Sequence, residues 1–146
     1  MIAPLVVRPG EPARLGERDP RFALGLEKEE GKARLDELRD RLGVLEHRLF
    51  AESRRSVLLL LQGLDASGKD GVIRSVFSGL NPAGCRVVSF RVPNAAELAH
   101  DYLWRVHAAL PARGEIGIFN RSHYEDVVAV RLHGLAPAAP RGRATG

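Results

Sequence analysis

The chain has few cysteines, few aromatic residues and no long hydrophobic run. Of its 146 residues only Cys85 is a cysteine, which excludes an internal disulfide framework and fits a cytoplasmic protein. No apolar stretch approaches the length of a membrane span, and the apolar N-terminal stretch is too short for a secretory signal. Aromatic residues make up 5% of the chain, without the alternation of basic and aromatic residues that suits base stacking. We therefore expect a cytoplasmic protein that binds neither membrane nor nucleic acid.

Arginine dominates the charged residues. The formal net charge is +4, and nineteen of the 22 Lys and Arg residues are arginine. A guanidinium group binds phosphate oxygens through two parallel N–H groups, which is consistent with a polyanionic partner. Genome composition explains an excess of arginine equally well. The charge alone therefore leaves the partner open.

A phosphate-binding motif follows the apolar run Val57–Leu61. The loop after this run has the spacing G-x-x-x-x-G-K and leads into a helix-like pattern. Glycines permit backbone torsions that turn successive N–H groups toward an anion, and the helix adds its own free N–H groups. The unalternating run predicts a parallel strand covered on both faces. The residues predicted to bind phosphate are Gly63, Ala66, Ser67, Gly68, Lys69 and Gly71.

Two carboxylates lie in or next to this loop. Asp70 occupies the position at which a Ser or Thr hydroxyl usually reaches magnesium, and Asp65 lies within the loop. Carboxylates are good ligands for a hard cation, and two of them beside a phosphate would repel it without a divalent cation between them. We therefore predict that Asp65 and Asp70 bind Mg²⁺. The alternative for Asp70 is a first-turn acid that complements the helix dipole.

The order of predicted elements is β-α-β-α-β-α. It comprises a helix over 70–78, a strand over 86–92, a second helix with its apolar side at Leu98, Tyr102, Val106 and Leu110, and a strand over 115–120. Asn94 and Glu97 predict a capping box at the start of that second helix. This order predicts a parallel sheet, whose ligands bind beyond the carboxyl ends of the strands. The loop at 63–69 and the segment 120–126 then share one edge.

Three segments are predicted. Residues 1–26 are rich in Pro, Gly and Arg and predict an extended arm, 27–133 form the phosphate-binding domain, and the low-complexity residues 134–146 are a disordered tail. A helix begins at Glu27 and carries a leucine stripe at Leu35, Leu38, Leu42, Leu45 and Leu49. This stripe permits pairing with a second copy of the chain, although packing against the domain is commoner at this length.

From residue 35 to residue 133 the sequence resembles the polyphosphate kinase type 2 family of P-loop phosphotransferases. The resemblance rests on four motifs: GLDASGKDG at 63–71, GLNP at 79–82, HDYLWR at 100–105 and LPARGEIGIFNRSHYEDV at 110–127. It implies a P-loop NTPase-like α/β/α fold with three layers and a parallel sheet. It also implies Mg²⁺-dependent transfer of a phosphoryl group between inorganic polyphosphate and a nucleotide such as ADP, ATP, AMP or their guanine equivalents.

The resemblance also implies roles for particular residues. Asp65, Lys69 and Asp70 belong to the family's first phosphate motif, and Asn120 and Arg121 to the second, in which many members carry Asp where this chain has Asn120. These five are the predicted catalytic residues, with Lys69 and Arg121 holding phosphates. The 120–126 segment resembles that of the branch which phosphorylates nucleoside mono- and diphosphates.

The last acidic and aromatic residues of the second motif have less specific predictions. Glu125 and Asp126 line the mouth of the site or act as first-turn helix acids, and both explanations hold equally well. His123 and Tyr124 are predicted to pack or orient neighbours, because phosphoryl transfer scarcely needs a base.

Family-like patterning ends after about Pro137, whereas family members continue with further strands and a helical lid. We therefore expect a fold that is incomplete at its C-terminal side, as in a truncated product. Two functions stay open: an active kinase, completed by a partner chain if necessary, and a non-catalytic fragment that binds phosphate, polyphosphate or a partner. A more distant alternative is a nucleotide kinase that uses ATP as donor.

Overall fold

The computed structural model describes residues 6–125. Its elements are a one-turn 3-10 helix Leu15–Glu17, helix α1 Lys28–Glu52, strand β1 Val57–Leu61, helix α2 Lys69–Phe77, strand β2 Cys85–Ser89, helices α3 Ala95–Leu98 and α4 Trp104–Ala108, and strand β3 Ile116–Asn120. The chain divides into two units, residues 1–38 and 39–146. Within the predicted arm, the only regular element of residues 6–26 is the 3-10 turn.

A parallel three-stranded sheet organises the second unit. Its order is β1-β3-β2, with β3 hydrogen-bonded to both neighbours. The register aligns Leu61 of β1 and Ser89 of β2 with Asn120 of β3, so the carboxyl ends of all three strands are level. The predicted α/β fold with a parallel sheet is confirmed. Because β1 and β3 are neighbours in the sheet, the loop after β1 faces the segment after β3.

The core lies against the central strand. Ile118 and Phe119 of β3 are completely buried, and the Phe119 ring meets the Phe90 ring edge-on with centroids 4.8 Å apart. Val106 of α4 completes this cluster. Edge-to-face packing of this kind adds to the free energy gained from area burial. β3 is therefore the strand that the rest of the unit packs around.

β1 corrects the prediction of a strand covered on both faces. Its bounds agree with the apolar run, but 47% of Val57 is exposed and Leu58 is also exposed. The reason is its place in the sheet: in the described part of the chain β1 pairs only with β3 and forms an edge. An apolar run indicates a buried strand without saying which neighbours bury it.

The second predicted helix is two short helices. α3 has the predicted capping box, with Asn94 and Glu97 bonded reciprocally, but it ends at Leu98, and α4 begins at Trp104. The Asp101 side chain accepts the N–H of Leu103 at 2.8 Å and thereby starts a new turn. Of the four side chains predicted to form its apolar side, only Val106 is buried, and Leu98 is 67% exposed.

The other strand and helix boundaries differ slightly from prediction. α2 begins one residue earlier, at Lys69, and ends at Phe77. β2 ends at Ser89 rather than at residue 92, because its partner β3 ends at Asn120, which lies opposite Ser89. β3 begins at Ile116 rather than at residue 115. None of the helices among residues 6–125 has both the length and the hydrophobicity to cross a membrane.

A buried carboxylate lies at the amino-terminal edge of β2. Within the second unit Leu45 of the α1 leucine stripe is exposed, whereas its neighbour Glu46 is 1% exposed with no hydrogen-bond partner for its oxygens. A Cβ at Gly84 would lie 2.0 Å from Glu46 Oε1, so a larger residue there would displace the Glu46 carboxylate. Cys85 begins β2, one residue before the predicted start of this strand. Burial, and secondarily the charge of Glu46, raises the pKa of the Cys85 thiol.

We expect the Phe119→Ala variant to lose about 3–5 kcal/mol of unfolding free energy, because it empties the site of a fully buried ring. Urea denaturation followed by circular dichroism measures this. Val87→Ala on the exposed side of β2 is the control and should cost under about 1 kcal/mol. Equal losses in the two variants would contradict the central position of Phe119.

We expect Cys85 to react with iodoacetamide more slowly in the folded chain than in urea at pH 8.5–9, a range in which an ordinary thiol ionises. Its raised pKa leaves a smaller fraction of the folded thiol ionised at a given pH. The associated stability is complete below the unfolded pKa and is lost as pH rises through the folded pKa. Glu46→Gln should lower the midpoint of the rate–pH profile, by less than unfolding does. An unchanged midpoint in urea would contradict the raised pKa.

Candidate functional site

The loop between β1 and α2 needs glycine at two positions. A Cβ at Gly63 would lie 2.7 Å from Ser67 Oγ, because the loop folds closely over its own start. Gly68, which caps α2, has φ 91°, in the region that side chains disfavour. Gly71 differs, since a Cβ there would meet nothing within 4 Å. The sequence therefore supplies glycine where the loop turns, as the motif predicts.

Lys69, the first residue of α2, lies across this loop. Its Nζ donates to the carbonyl oxygens of Gly63 at 2.8 Å and Leu64 at 2.6 Å, and to Ser67 Oγ at 3.1 Å. These acceptors are neutral, so no carboxylate of residues 6–125 neutralises the ammonium group. The positive charge of Lys69 is therefore available to an anion at the loop.

Asp70 is held by the central strand. Asn120, the last residue of β3, donates its Nδ2–H to Asp70 Oδ1 at 2.6 Å, across fifty residues of sequence. The Oδ1 atom of Asn120 is buried and has no hydrogen-bond partner. The β1–β3 register explains this pairing, because it places Asn120 opposite the strand end from which the loop begins. The amide thus orients one carboxylate of the site and retains an unused acceptor.

Arg121 links the loop to the segment after β3. Its backbone has φ 68°, which is uncommon outside glycine, and its N–H bonds to Leu61 O at 2.9 Å. The guanidinium pairs with Asp65 of the loop and with Glu125. Gln62 Nε2 donates to Glu125 Oε2 at 2.6 Å and fixes that carboxylate in turn. Glu125 therefore holds Arg121, and Asp126 lies outside the described residues.

These groups surround a cavity of about 370 Å³ at the carboxyl edge of the sheet. It is lined by Asp65, Ala66, Ser67, Gly68, Lys69, Asp70, Gly71, Arg74, Asn120 and Arg121. The structure thus brings every predicted site residue except Gly63 to one cavity wall, and Gly63 forms the floor of the turn under Ser67. Sequence reasoning missed Gln62 and Arg74. The signal for Arg74 was its helical spacing of four from Asp70.

Asp65 and Asp70 are the carboxylates on this wall. Among residues 6–125 no group of three or more His, Cys, Asp or Glu side chains could hold a metal ion. Mg²⁺ is usually held by one or two carboxylates together with substrate phosphates, not by a complete protein cage. The Asp65 side chain is 93% exposed and one Asp70 oxygen carries the Asn120 bond. The two residues therefore fit this mode of binding.

A glycine-bracketed loop at the end of a parallel strand, followed by a helix and a lysine, defines a P-loop kinase-like α/β protein. Comparison with protein families makes the assignment specific: the family model Polyphosphate kinase 2 (PPK2) matches residues 25–144. The chain belongs to this family.

Individual proteins similar to this chain agree with the family assignment. An AMP/ADP-polyphosphate phosphotransferase of Meiothermus ruber is 58% identical over 100 residues, 68% of this chain and 38% of that protein. An ADP-polyphosphate phosphotransferase of Rhodopseudomonas palustris is 57% identical over 94 residues, 64% of this chain and 32% of that protein. The crystal structure of polyphosphate kinase 2 from Arthrobacter aurescens has a TM-score of 0.81 and 38% identity, covering 90% of this chain and 48% of that one. The chain thus spans less than half the length of each.

We expect Gly63→Ala to weaken binding of inorganic pyrophosphate about tenfold or more. The added methyl group would displace the Ser67 side chain and so change the shape of the loop. Isothermal titration calorimetry measures the affinity. Gly71→Ala is the matched control, since it adds the same methyl group to open space in the first turn of α2, directly after the loop. If Gly63→Ala bound as well as Gly71→Ala, the close approach at Ser67 would be unimportant for anion binding.

Proposed function

We propose that the chain serves phosphoryl transfer between inorganic polyphosphate and a nucleoside mono- or diphosphate, with Mg²⁺. The observation that carries this proposal is a single cavity lined by cationic side chains and by two carboxylates, in a chain of the PPK2 family. The cations include Lys69 and Arg121, and the carboxylates are Asp65 and Asp70. The relatives are named for AMP, ADP and GDP as the nucleotide, which supports this acceptor class.

The cations of the cavity have different parts in binding phosphates. Lys69 is held only by neutral oxygens, so a phosphate can take over its N–H groups without breaking an ion pair. Arg121 is bound by two carboxylates, so it moves to phosphate only when Asp65 finds another cation. Phosphoryl transfer depends mainly on positioning and charge neutralisation, which these groups can supply.

Asp65 and Asp70 would hold Mg²⁺. When bound there, Mg²⁺ would supply neutralisation of phosphate charge. Asn120 keeps the Asp70 carboxylate directed toward the cavity through its 2.6 Å hydrogen bond. Its second amide atom, Oδ1, is free to accept one further hydrogen bond. Asn120 therefore acts on the reaction through Asp70, as a positioning residue.

A second candidate function is binding of phosphate or polyphosphate without turnover. The favouring observation is that the groups suited to anion binding are confined to one short stretch of the chain. All the cations discussed above lie within residues 69–121, so anion binding requires only this part of the chain. Productive alignment of a nucleotide beside polyphosphate is a further demand, and proximity of this kind accounts for much of a catalysed rate.

We expect Lys69→Ala to lower ATP formation from ADP and polyphosphate about 10²- to 10³-fold, because a cation that stabilises phosphoryl charge is lost. A luciferase-coupled assay with Mg²⁺ measures ATP, and EDTA should abolish the signal. Lys32→Ala, which removes an exposed lysine paired with Glu29, is the control and should leave the rate unchanged.

The same preparation should be tested for polyphosphate binding by calorimetry. Binding with turnover supports the transferase, and binding without turnover supports the second candidate. Absence of both, in a sample whose circular dichroism shows the folded state, would contradict each of them.

A further inference from the structure

Arg74 belongs to the cavity but not to the phosphate motif. It lies on α2, five residues after Lys69 and four after Asp70, and its side chain is exposed on the same cavity wall as Asn120 and Arg121. Helical rise places its Cα about 7.5 Å along the axis from that of Lys69. Side chains on a helix lean toward its amino terminus, which for Arg74 is the direction of the loop.

Arg74 differs from the other cations of the cavity in having no internal acceptor. Lys69 bonds to loop carbonyls, and Arg121 pairs with Asp65 and Glu125. No hydrogen bond or ion pair joins Arg74 to any residue of the described range 6–125. Its spacing from Asp70 would permit a pair, but Asp70 Oδ1 accepts from Asn120 instead. Its guanidinium is therefore available to a ligand at no cost in broken contacts.

We propose that Arg74 is a second anion-binding position, which holds a later phosphate of an extended polyphosphate chain whose first phosphates occupy the loop. A guanidinium binds two oxygens of one phosphate through its parallel N–H groups. The Cα atoms of Arg74 and Lys69 are about 7.5 Å apart along the axis of α2, so we expect short anions to occupy the loop alone and longer chains to reach Arg74 as well. This inference rests on the proposed function, since it assigns a residue to the polyphosphate of that same site.

The test measures the affinity of three proteins for long-chain polyphosphate and for pyrophosphate: the unaltered chain, Arg74→Gln and Arg48→Gln. Arg74→Gln should lower affinity for long-chain polyphosphate about threefold to tenfold at low salt, as expected for one exposed charge-assisted contact, and should change pyrophosphate affinity less than about twofold. Arg48→Gln on α1 is the matched control: this arginine is also helical and exposed and lies outside the cavity. It should bind both anions like the unaltered chain. The Arg74 effect should shrink as salt rises, because screening weakens an exposed ion pair.

Each outcome decides the proposal. A loss confined to long chains in Arg74→Gln supports it. Equal behaviour of Arg74→Gln and Arg48→Gln, with both anions bound, would overturn the role of Arg74 and leave the proposed function intact. If the unaltered chain bound neither anion, both would be overturned. Should glutamine destabilise α2, Arg74→Ala repeats the comparison with the residue of highest helix propensity.

Discussion

The position of β3 between β1 and β2 is the constraint on which the site depends. Parallel pairing with level carboxyl ends places Asn120 and Arg121 beside the loop that leaves β1, although more than fifty residues separate them in sequence. Burial of Ile118 and Phe119 fixes β3 in this position, since a slip by one residue would move the Phe119 ring to the opposite face of the sheet, away from Phe90 and Val106. The packing that holds β3 in the core therefore also sets the geometry of the site.

Charge balance within the cavity follows from that geometry. Arg121 reaches Asp65 and Glu125 because its backbone adopts a left-handed turn directly after the strand. Asp70 meets an amide rather than a cation, so its negative charge is oriented but not neutralised. The site thus carries one carboxylate with a guanidinium counter-charge and one without. A divalent cation would be attracted to the second carboxylate, whereas an anion alone would be repelled by it.

Much of this arrangement could be predicted from sequence, for identifiable reasons. The bounds of β1 and the glycine positions were readable because an apolar run ending in a P-loop is a local pattern with a local cause. The sheet edge shared by the loop and Asn120 followed from the alternation of strands and helices along the chain, which implies a parallel sheet. The break at Asp101 was missed because apolar spacing continued through it while a side chain captured the backbone. Likewise, the leucine stripe could not show that Glu46 would be buried and Leu45 exposed.

Sequence could not predict which of two possible partners a polar side chain bonds to in the folded chain. Asp70 can pair with a residue one helical turn away or with one brought by another strand, and only the fold decides between Arg74 and Asn120. The bond to Asn120 has two consequences. It orients the Asp70 carboxylate, and it leaves the positive charge of Arg74 without a paired carboxylate. Motif matching identifies the loop because its chemistry is local. Whether Arg74 is available to a ligand beyond the loop depends on Asp70 not pairing with it. A sequence pattern does not encode that missing contact.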